Sequence, residues 1–217
     1  MFPQFEQLTE DQSEENLRRL KGLGFSEPDS GLRVLTRLRE HYLALGSTRT
    51  GTSKSSTAQT SAVPSWYEIL ERVVREAPLR DTVLAVVDQY VRNASEHIDV
   101  FSLFEQTPRS LEILARLACG SPFLTQILLA DPLCLTTLTL HGRTSEMKSR
   151  EQFISEAMNG PDKVRLRTEK LSALRKYQRR QLLRIGMCDA FGLLDLRFVT
   201  LQLSLLADAM VQCCLNI

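Results

Sequence analysis

The chain has 217 residues, of which 43% are hydrophobic and 24% charged, and its formal net charge is +1 at pH 7. These values are typical of a globular protein with a substantial core, and they exclude a chain that is basic throughout. The five cysteines include no C-x-x-C pair and lie mostly among apolar neighbours, which favours a reduced, cytoplasmic protein. No signal sequence is evident and no uncharged run reaches about 18 residues, so we expect no membrane span.

Helix start signals recur along the chain, and no alternating strand pattern accompanies them. Some are capping boxes, in which a hydroxyl and a Glu or Gln three residues later each satisfy a backbone amide. Others are an oxygen-bearing residue followed by proline. The boxes begin at Thr9, Ser65 and Ser149, and the proline starts at Thr107, Ser121 and Asp131. We expect early helices to about Lys21, from Pro28 through Tyr42, from Ser65 to about Glu76 and from Leu79 to about Arg92. The prediction is an all-α fold, a multi-helix array.

Residues 46–62 interrupt this pattern. They are rich in Ser and Thr and almost lack large apolar side chains, so they cannot offset the entropy of ordering and are predicted to be a flexible loop. The predicted domains are N-terminal helices over 1–45, the loop over 46–62, and a helical domain over 63–217 that forms one unit with 1–45. Thr52 and Ser53 stand where a phosphate-binding loop needs Lys and then Ser or Thr, which excludes that motif.

Residues 171–215 predict two helices that close the array as an antiparallel hairpin. In the first helix an apolar arc faces inward, and Arg175, Lys176, Arg179, Arg180 and Arg184 fill most of the remaining surface. Gly192 is the expected helix stop and Asp195 the N-cap of the next helix. In the second helix, apolar residues from Leu196 to Cys213 recur at intervals of three and four, which predicts a narrow packing seam.

Asp189 breaks the pattern of the first helix, because it lies at the angular position of Leu171 within the apolar arc. An unpaired buried carboxylate is very costly, so we expect it to pair with Arg175 or Arg184 or to cap a neighbouring backbone. The alternative is a position at a domain interface or in a nucleotide-facing pocket.

The hairpin resembles the helical segment that precedes the nucleotidyltransferase core in the glutamine synthetase adenylyltransferase and adenylyl-removing enzyme family. The matching motifs are LRKYQRRQLLRI over 174–185, then Asp189, then GLLDL over 192–196, then LSLLADA over 203–209. Shorter matches occur over 23–29 and 103–132.

The resemblance implies a role in adenylylating a tyrosine of glutamine synthetase with AMP from ATP and in removing that AMP by phosphorolysis. It also implies glutamine synthetase, a nucleotidyltransferase domain, or both as partners. In the family, ATP and magnesium are bound by the catalytic core, which carries a Gly-rich segment and a Ser-Asp-x-Asp carboxylate pair. No Asp-x-Asp occurs here, so we expect no cofactor or metal in this chain, no activity of the chain alone, and a truncation before the catalytic module.

The interface or phosphate-contact candidates are therefore Arg175, Arg179, Arg180, Arg184 and Asp189, with no catalytic and no metal-binding residue. The three histidines are isolated, which argues against zinc. An alternative function is a non-catalytic interaction module that binds nucleic acid through the basic helix. The near-neutral charge and the lack of aromatics other than Tyr177 in that helix argue against nucleic acid. The third interpretation is a solvated basic face with no partner.

Overall fold

A computed structural model describes residues 2–8, 13–49, 63–140 and 144–217, and in these ranges the chain forms helices and no strand. The helices of the first part are α1 (Ser13–Gly22), α2 (Pro28–Arg49), α3 (Ser65–Glu76), α4 (Arg80–Ala94), α5 (Val100–Gln106) and α6 (Arg109–Gly120). The later ones are α7 (Pro122–Ala130), α8 (Leu133–Leu140), α9 (Arg150–Met158), α10 (Arg167–Ala190) and α11 (Leu196–Leu215). Short 3-10 helices span Phe5–Gln7 and Pro161–Lys163. The predicted all-α class is confirmed.

The chain divides into two compact units, Met1–Pro122 and Phe123–Ile217. This division does not coincide with the predicted limits at residues 45 and 62, and it falls where the sequence shows only a helix start. Helix α2 continues through Arg49, four residues into the predicted loop. The rest of that loop, residues 50–62, lies outside the described residues and stays a prediction.

The first unit is built on α4, which packs against α2, α3 and α6. An aromatic cluster joins the N-terminal segment to this core. The ring of Phe5 lies 5.9 Å from that of Trp66, and Trp66 lies 4.8 Å from Phe101. The hydroxyl of Tyr67 donates to the Pro3 carbonyl at 2.8 Å. Residues before the first α-helix are therefore part of the core.

The second unit centres on α9, α10 and α11, which pack on one another around a shared apolar cluster. Gly192 ends α10 with φ of +62°, the left-handed conformation that glycine adopts without strain. The Leu193 amide donates to the Cys188 carbonyl at 2.8 Å, and the Gly192 amide to the Asp189 carbonyl at 2.9 Å. This closure is a Schellman motif, so the predicted stop is confirmed.

Helices α10 and α11 form the predicted antiparallel hairpin. Arg184 near the end of α10 contacts Gln202 near the start of α11, at 3.1 Å. Such a contact, with both residues close to the connecting turn, requires antiparallel helices. Asp195 occupies the N-cap position of α11, but its side chain makes no capping hydrogen bond.

The capping predictions have mixed outcomes. The box at Ser149 is confirmed, with both reciprocal hydrogen bonds to Gln152 present. The box at Ser65 is wrong, because the helix already includes Ser65 and Pro64 occupies the N-cap position. The box at Thr9 lies outside the described residues.

The predicted seam of α11 is correct in part. Val199, Leu206, Met210 and Cys213 are buried, whereas Leu196 and Leu203 are exposed. Gln202 and Ala209, both 0% exposed, complete the buried stripe instead. The packed face is rotated slightly from the predicted one and includes a polar side chain.

Candidate functional site

Arg184 is the most deeply engaged of the predicted site residues, with 8% of its surface exposed. Its Nε donates to Gln181 Oε1 at 2.9 Å and its Nη2 to Gln202 Oε1 at 3.1 Å. Its Nη1 donates to the carbonyls of Thr144 and Glu146 at 3.0 and 3.1 Å. Four of the five N–H donors of the guanidinium thus meet neutral acceptors. Burial lowers the pKa of Arg184, although an arginine stays protonated in proteins.

Gln202 holds the same segment from the other helix of the hairpin. Its Oε1 accepts from the Lys148 backbone amide at 3.0 Å, and its Nε2 donates to the Lys148 carbonyl at 2.7 Å. We call Arg184, Gln181, Gln202 and the segment 144–148 the polar clasp. The clasp ties the connection between α8 and α9 to the hairpin, so Arg184 has a structural role and little capacity left for a ligand.

The prediction that Asp189 is buried and paired is wrong, because its side chain is exposed and has no ion pair with the described part of the chain. Arg184 bonds to carbonyls and amides instead. The physical reason is that the second half of α10 buries a different face, which carries Leu183 and Met187. Asp189, in the last turn of the helix, lies outside that face and is exposed to solvent.

Gln202 is a site residue that the sequence analysis missed. It lies three residues after Val199 and four before Leu206, so it occupies a seam position by spacing alone. A polar residue at such a position signals a buried hydrogen-bond network.

A cavity of about 520 Å3 adjoins the clasp. At its edge Glu156 Oε2 accepts from Lys148 Nζ at 2.6 Å and from the Tyr177 hydroxyl at 2.8 Å. Burial raises the pKa of Tyr177, and the hydrogen bond to Glu156 raises it further. The phenol stays protonated and donates, so this trio forms a closed structural network with no free base.

A second cavity, of about 380 Å3, lies beside the N-terminal half of α10. We call it the basic cleft. Its polar lining consists of Ser172, Arg175, Lys176, Arg179, Arg180 and Asp131. The structure thus brings three of the predicted site residues, Arg175, Arg179 and Arg180, into one cleft, and it places Arg184 in the clasp.

Asp131 occupies the cleft from the junction of α7 and α8. Its carboxylate accepts from Arg180 Nε at 2.7 Å and lies 3.7 Å from Lys176 Nζ. Burial raises the pKa of Asp131, but the hydrogen bond and charge of Arg180 and the charge of Lys176 outweigh it, and the net pKa lies below its usual value. Arg175 and Arg179 are exposed and have no ion-pair partner among the described residues.

The described residues offer no catalytic constellation. Among them no group of three or more His, Cys, Asp or Glu side chains could hold a metal ion, and Asp131 is already neutralised by two cations. Burial, with the charge of Asp131, raises the pKa of the Cys134 thiol to about 11, so it is a poor nucleophile. The lining of the basic cleft therefore does not form a magnesium site. The chemistry that the cleft can perform is the binding of an anion.

Helix α11 is long and apolar enough to cross a membrane by length and composition, with a mean hydropathy of 1.6 in its most apolar window. One such helix is weak evidence for a membrane span. Its buried stripe packs against α9 and α10, which accounts for part of that apolar character.

Comparison with known proteins connects this unit to an enzyme family. Residues 111–217 match the family model described as glutamate-ammonia ligase adenylyltransferase. Over 193 residues, 87% of its length, the chain is 25% identical to the bifunctional glutamine synthetase adenylyltransferase/adenylyl-removing enzyme of Thioalkalivibrio sulfidiphilus (strain HL-EbGR7). The match spans 19% of that relative's length. Residues 111–217, which include the hairpin, the clasp and the basic cleft, thus belong to the glutamate-ammonia ligase adenylyltransferase family.

Proposed function

We propose that this chain is the helical regulatory or docking portion of a cytoplasmic glutamine synthetase adenylyltransferase-like enzyme. The observation that carries the proposal is the family match over 111–217, which covers the whole second unit. The relative's name supports glutamine synthetase as the protein acted upon and both addition and removal of AMP as the reactions.

In this proposal the chemistry resides in another module. The sequence has no Asp-x-Asp pair, and the carboxylate of the basic cleft is already bound by Arg180 and Lys176. ATP and magnesium would therefore be held by a nucleotidyltransferase core, while this chain contributes positioning. Since the match spans only 19% of the relative, that protein has ample length for such a core.

The outward face of α11 is the proposed docking surface for that core. This face exposes large apolar side chains. The exposed fraction is 71% for Leu196, 63% for Val211 and 76% for Leu215. Exposed apolar residues that share one helix face are typical of a protein interface. The unpaired Arg175 and Arg179 on α10 would supply polar contacts at its rim.

The test is binding of the purified chain to a nucleotidyltransferase core of the family, measured by titration calorimetry. Val211→Gln should weaken binding at least about tenfold, which corresponds to losing about 1.4 kcal/mol of apolar contact. Leu79→Gln is the matched control, because Leu79 is an exposed apolar residue of the first unit. Absence of binding, or equal losses in both variants, would overturn the docking proposal.

An activity assay tests the non-catalytic role separately. The chain alone should move no radiolabel from ATP to glutamine synthetase. Transfer above a no-protein control would show that it carries its own catalytic site.

The basic cleft favours nucleic-acid binding as a second candidate function, because it gathers four cations around one carboxylate. Tyr177 does not contribute to nucleic-acid binding at this cleft, since its hydroxyl donates to Glu156 and is not free to contact a nucleobase. Fluorescence polarisation with single-stranded and duplex oligonucleotides tests this candidate, and binding lost on raising salt would support it.

A further inference from the structure

We propose that the basic cleft binds a small oligophosphate anion, of the class of inorganic pyrophosphate and tripolyphosphate. The inference does not depend on the docking proposal, because the chain by itself contains the whole cleft. Its test therefore needs neither a partner protein nor enzymatic activity.

Charge is the first argument. Arg175, Lys176, Arg179 and Arg180 line the cleft, and Asp131 is the carboxylate opposing them, so the lining carries an excess of three positive charges. Residues four apart on a helix are neighbours on its surface, which places Arg175 beside Arg179 and Lys176 beside Arg180. Within about 380 Å3 this is a dense positive field, and a multiply charged anion relieves more of it than a single carboxylate does.

The second argument is that several of the cationic side chains have donors free for a ligand. Four N–H donors of Arg184 are already bound in the clasp, and Arg180 is held by Asp131 at 2.7 Å. Lys176 is held only at 3.7 Å and its side chain is 61% exposed. Arg175 and Arg179 have no ion pair in the described part of the chain. Two guanidinium groups and one loosely held ammonium are thus free to bind.

The size and shape of the cleft favour phosphate over a protein segment. A volume of about 380 Å3 holds a chain of two or three phosphoryl groups, whereas a helix is about 10 Å across with its side chains. The planar fork of arginine matches two phosphate oxygens at once, and the Ser172 hydroxyl lies in the same lining as a further donor.

Asp131 makes the proposal sharply testable, because its negative charge opposes an anion and competes for Arg180. Removing that charge should tighten binding. The asparagine that replaces it keeps the shape of the side chain and leaves Arg180 free to turn towards the ligand.

The experiment is calorimetric titration of the full chain with tripolyphosphate at constant ionic strength. One equivalent should bind. The double variant Arg175→Gln/Arg179→Gln should bind at least about tenfold more weakly, since charge-assisted hydrogen bonds are lost. The control Arg165→Gln/Arg167→Gln removes the same charge from exposed positions outside the cleft lining and should change affinity less than about twofold.

A second pair of variants tests the opposite direction. Asp131→Asn should tighten binding severalfold, whereas Asp162→Asn, with the same charge change at an exposed position, should not. Titration with ATP shows whether the bound phosphate chain is free or belongs to a nucleotide. Equal affinity for ATP and tripolyphosphate indicates a free oligophosphate, and tighter binding of ATP indicates a nucleotide. No binding at millimolar ligand, or equal effects in variants and controls, would overturn the proposal.

Discussion

Replacing Arg184 with methionine should measure what the polar clasp contributes to stability. Methionine keeps most of the volume and the flexible stem of the side chain but removes the guanidinium. The Glu146 carbonyl and the amide oxygen of Gln181 then lose their donor. The Thr144 carbonyl keeps the Cys188 thiol at 3.3 Å, and the amide oxygen of Gln202 keeps its bond from the Lys148 backbone, so two acceptors are orphaned.

The magnitude follows from two opposing effects. An orphaned buried acceptor costs about 1–3 kcal/mol, and two of them would cost about 2–6 kcal/mol. Against this, the guanidinium no longer has to be desolvated, which offsets part of that cost. Starting from the middle of the range, we expect Arg184→Met to lower the free energy of unfolding by about 2–3 kcal/mol.

Urea denaturation followed by far-ultraviolet circular dichroism measures this loss. With an m-value of about 1–3 kcal/mol/M, the midpoint should fall by about 1–2 M. Hydrogen exchange at the Lys148 amide should accelerate, because its acceptor Gln202 loses its anchor. Arg179→Gln is the control and should stay within about 0.5 kcal/mol of the wild type. Equal midpoints for the two variants would refute the reasoning and show that the clasp only offsets its own desolvation.

Three further predictions concern the second unit. Gly186→Ala should destabilise the fold by about 1–2 kcal/mol, because the new Cβ would lie 2.5 Å from Leu124 Cδ1. In the control Gly120→Ala, the new Cβ meets nothing within 4 Å, so this variant should be neutral or stabilising. Thermal melts compare the two variants. Ser149→Ala should cost about 1 kcal/mol through loss of the N-cap of α9, measured by the urea midpoint. Asp131 has a lowered pKa in the folded state, so its stabilisation is present at neutral pH and is lost as pH falls through that lowered pKa. The stability difference between the wild type and Asp131→Asn should therefore be largest at neutral pH and vanish in acid, and a difference that grows in acid would contradict the assignment.

Much of the fold could be predicted from the sequence because it is locally encoded. Helix α3 ends at the predicted residue, Glu76, and Gly192 ends α10 as expected. Helical periodicity and the conformational freedom of glycine act over a few residues, so they can be recognised without knowing what packs where.

The candidate site could be predicted only in part. Helical geometry fixes the angle between Leu171 and Asp189 but not which face of α10 becomes covered, and so Asp189 was expected inside. The ion pair between Arg180 and Asp131 joins residues 49 positions apart, and no local pattern specifies it. Long-range pairing of charges depends on tertiary packing, which periodicity does not describe.

The aromatic cluster around Trp66 has a spectroscopic consequence. Trp66 is the single tryptophan of the chain, and it is fully buried among Phe5, Tyr67 and Phe101. Its indole nitrogen has no hydrogen-bond partner among the described residues, so its emission should be shifted to short wavelength. Between residues 123 and 217 the sequence has no tryptophan, and Tyr177 is its only tyrosine. Tryptophan fluorescence therefore reports the opening of the first unit and the release of its N-terminal segment, and the second unit is silent to it.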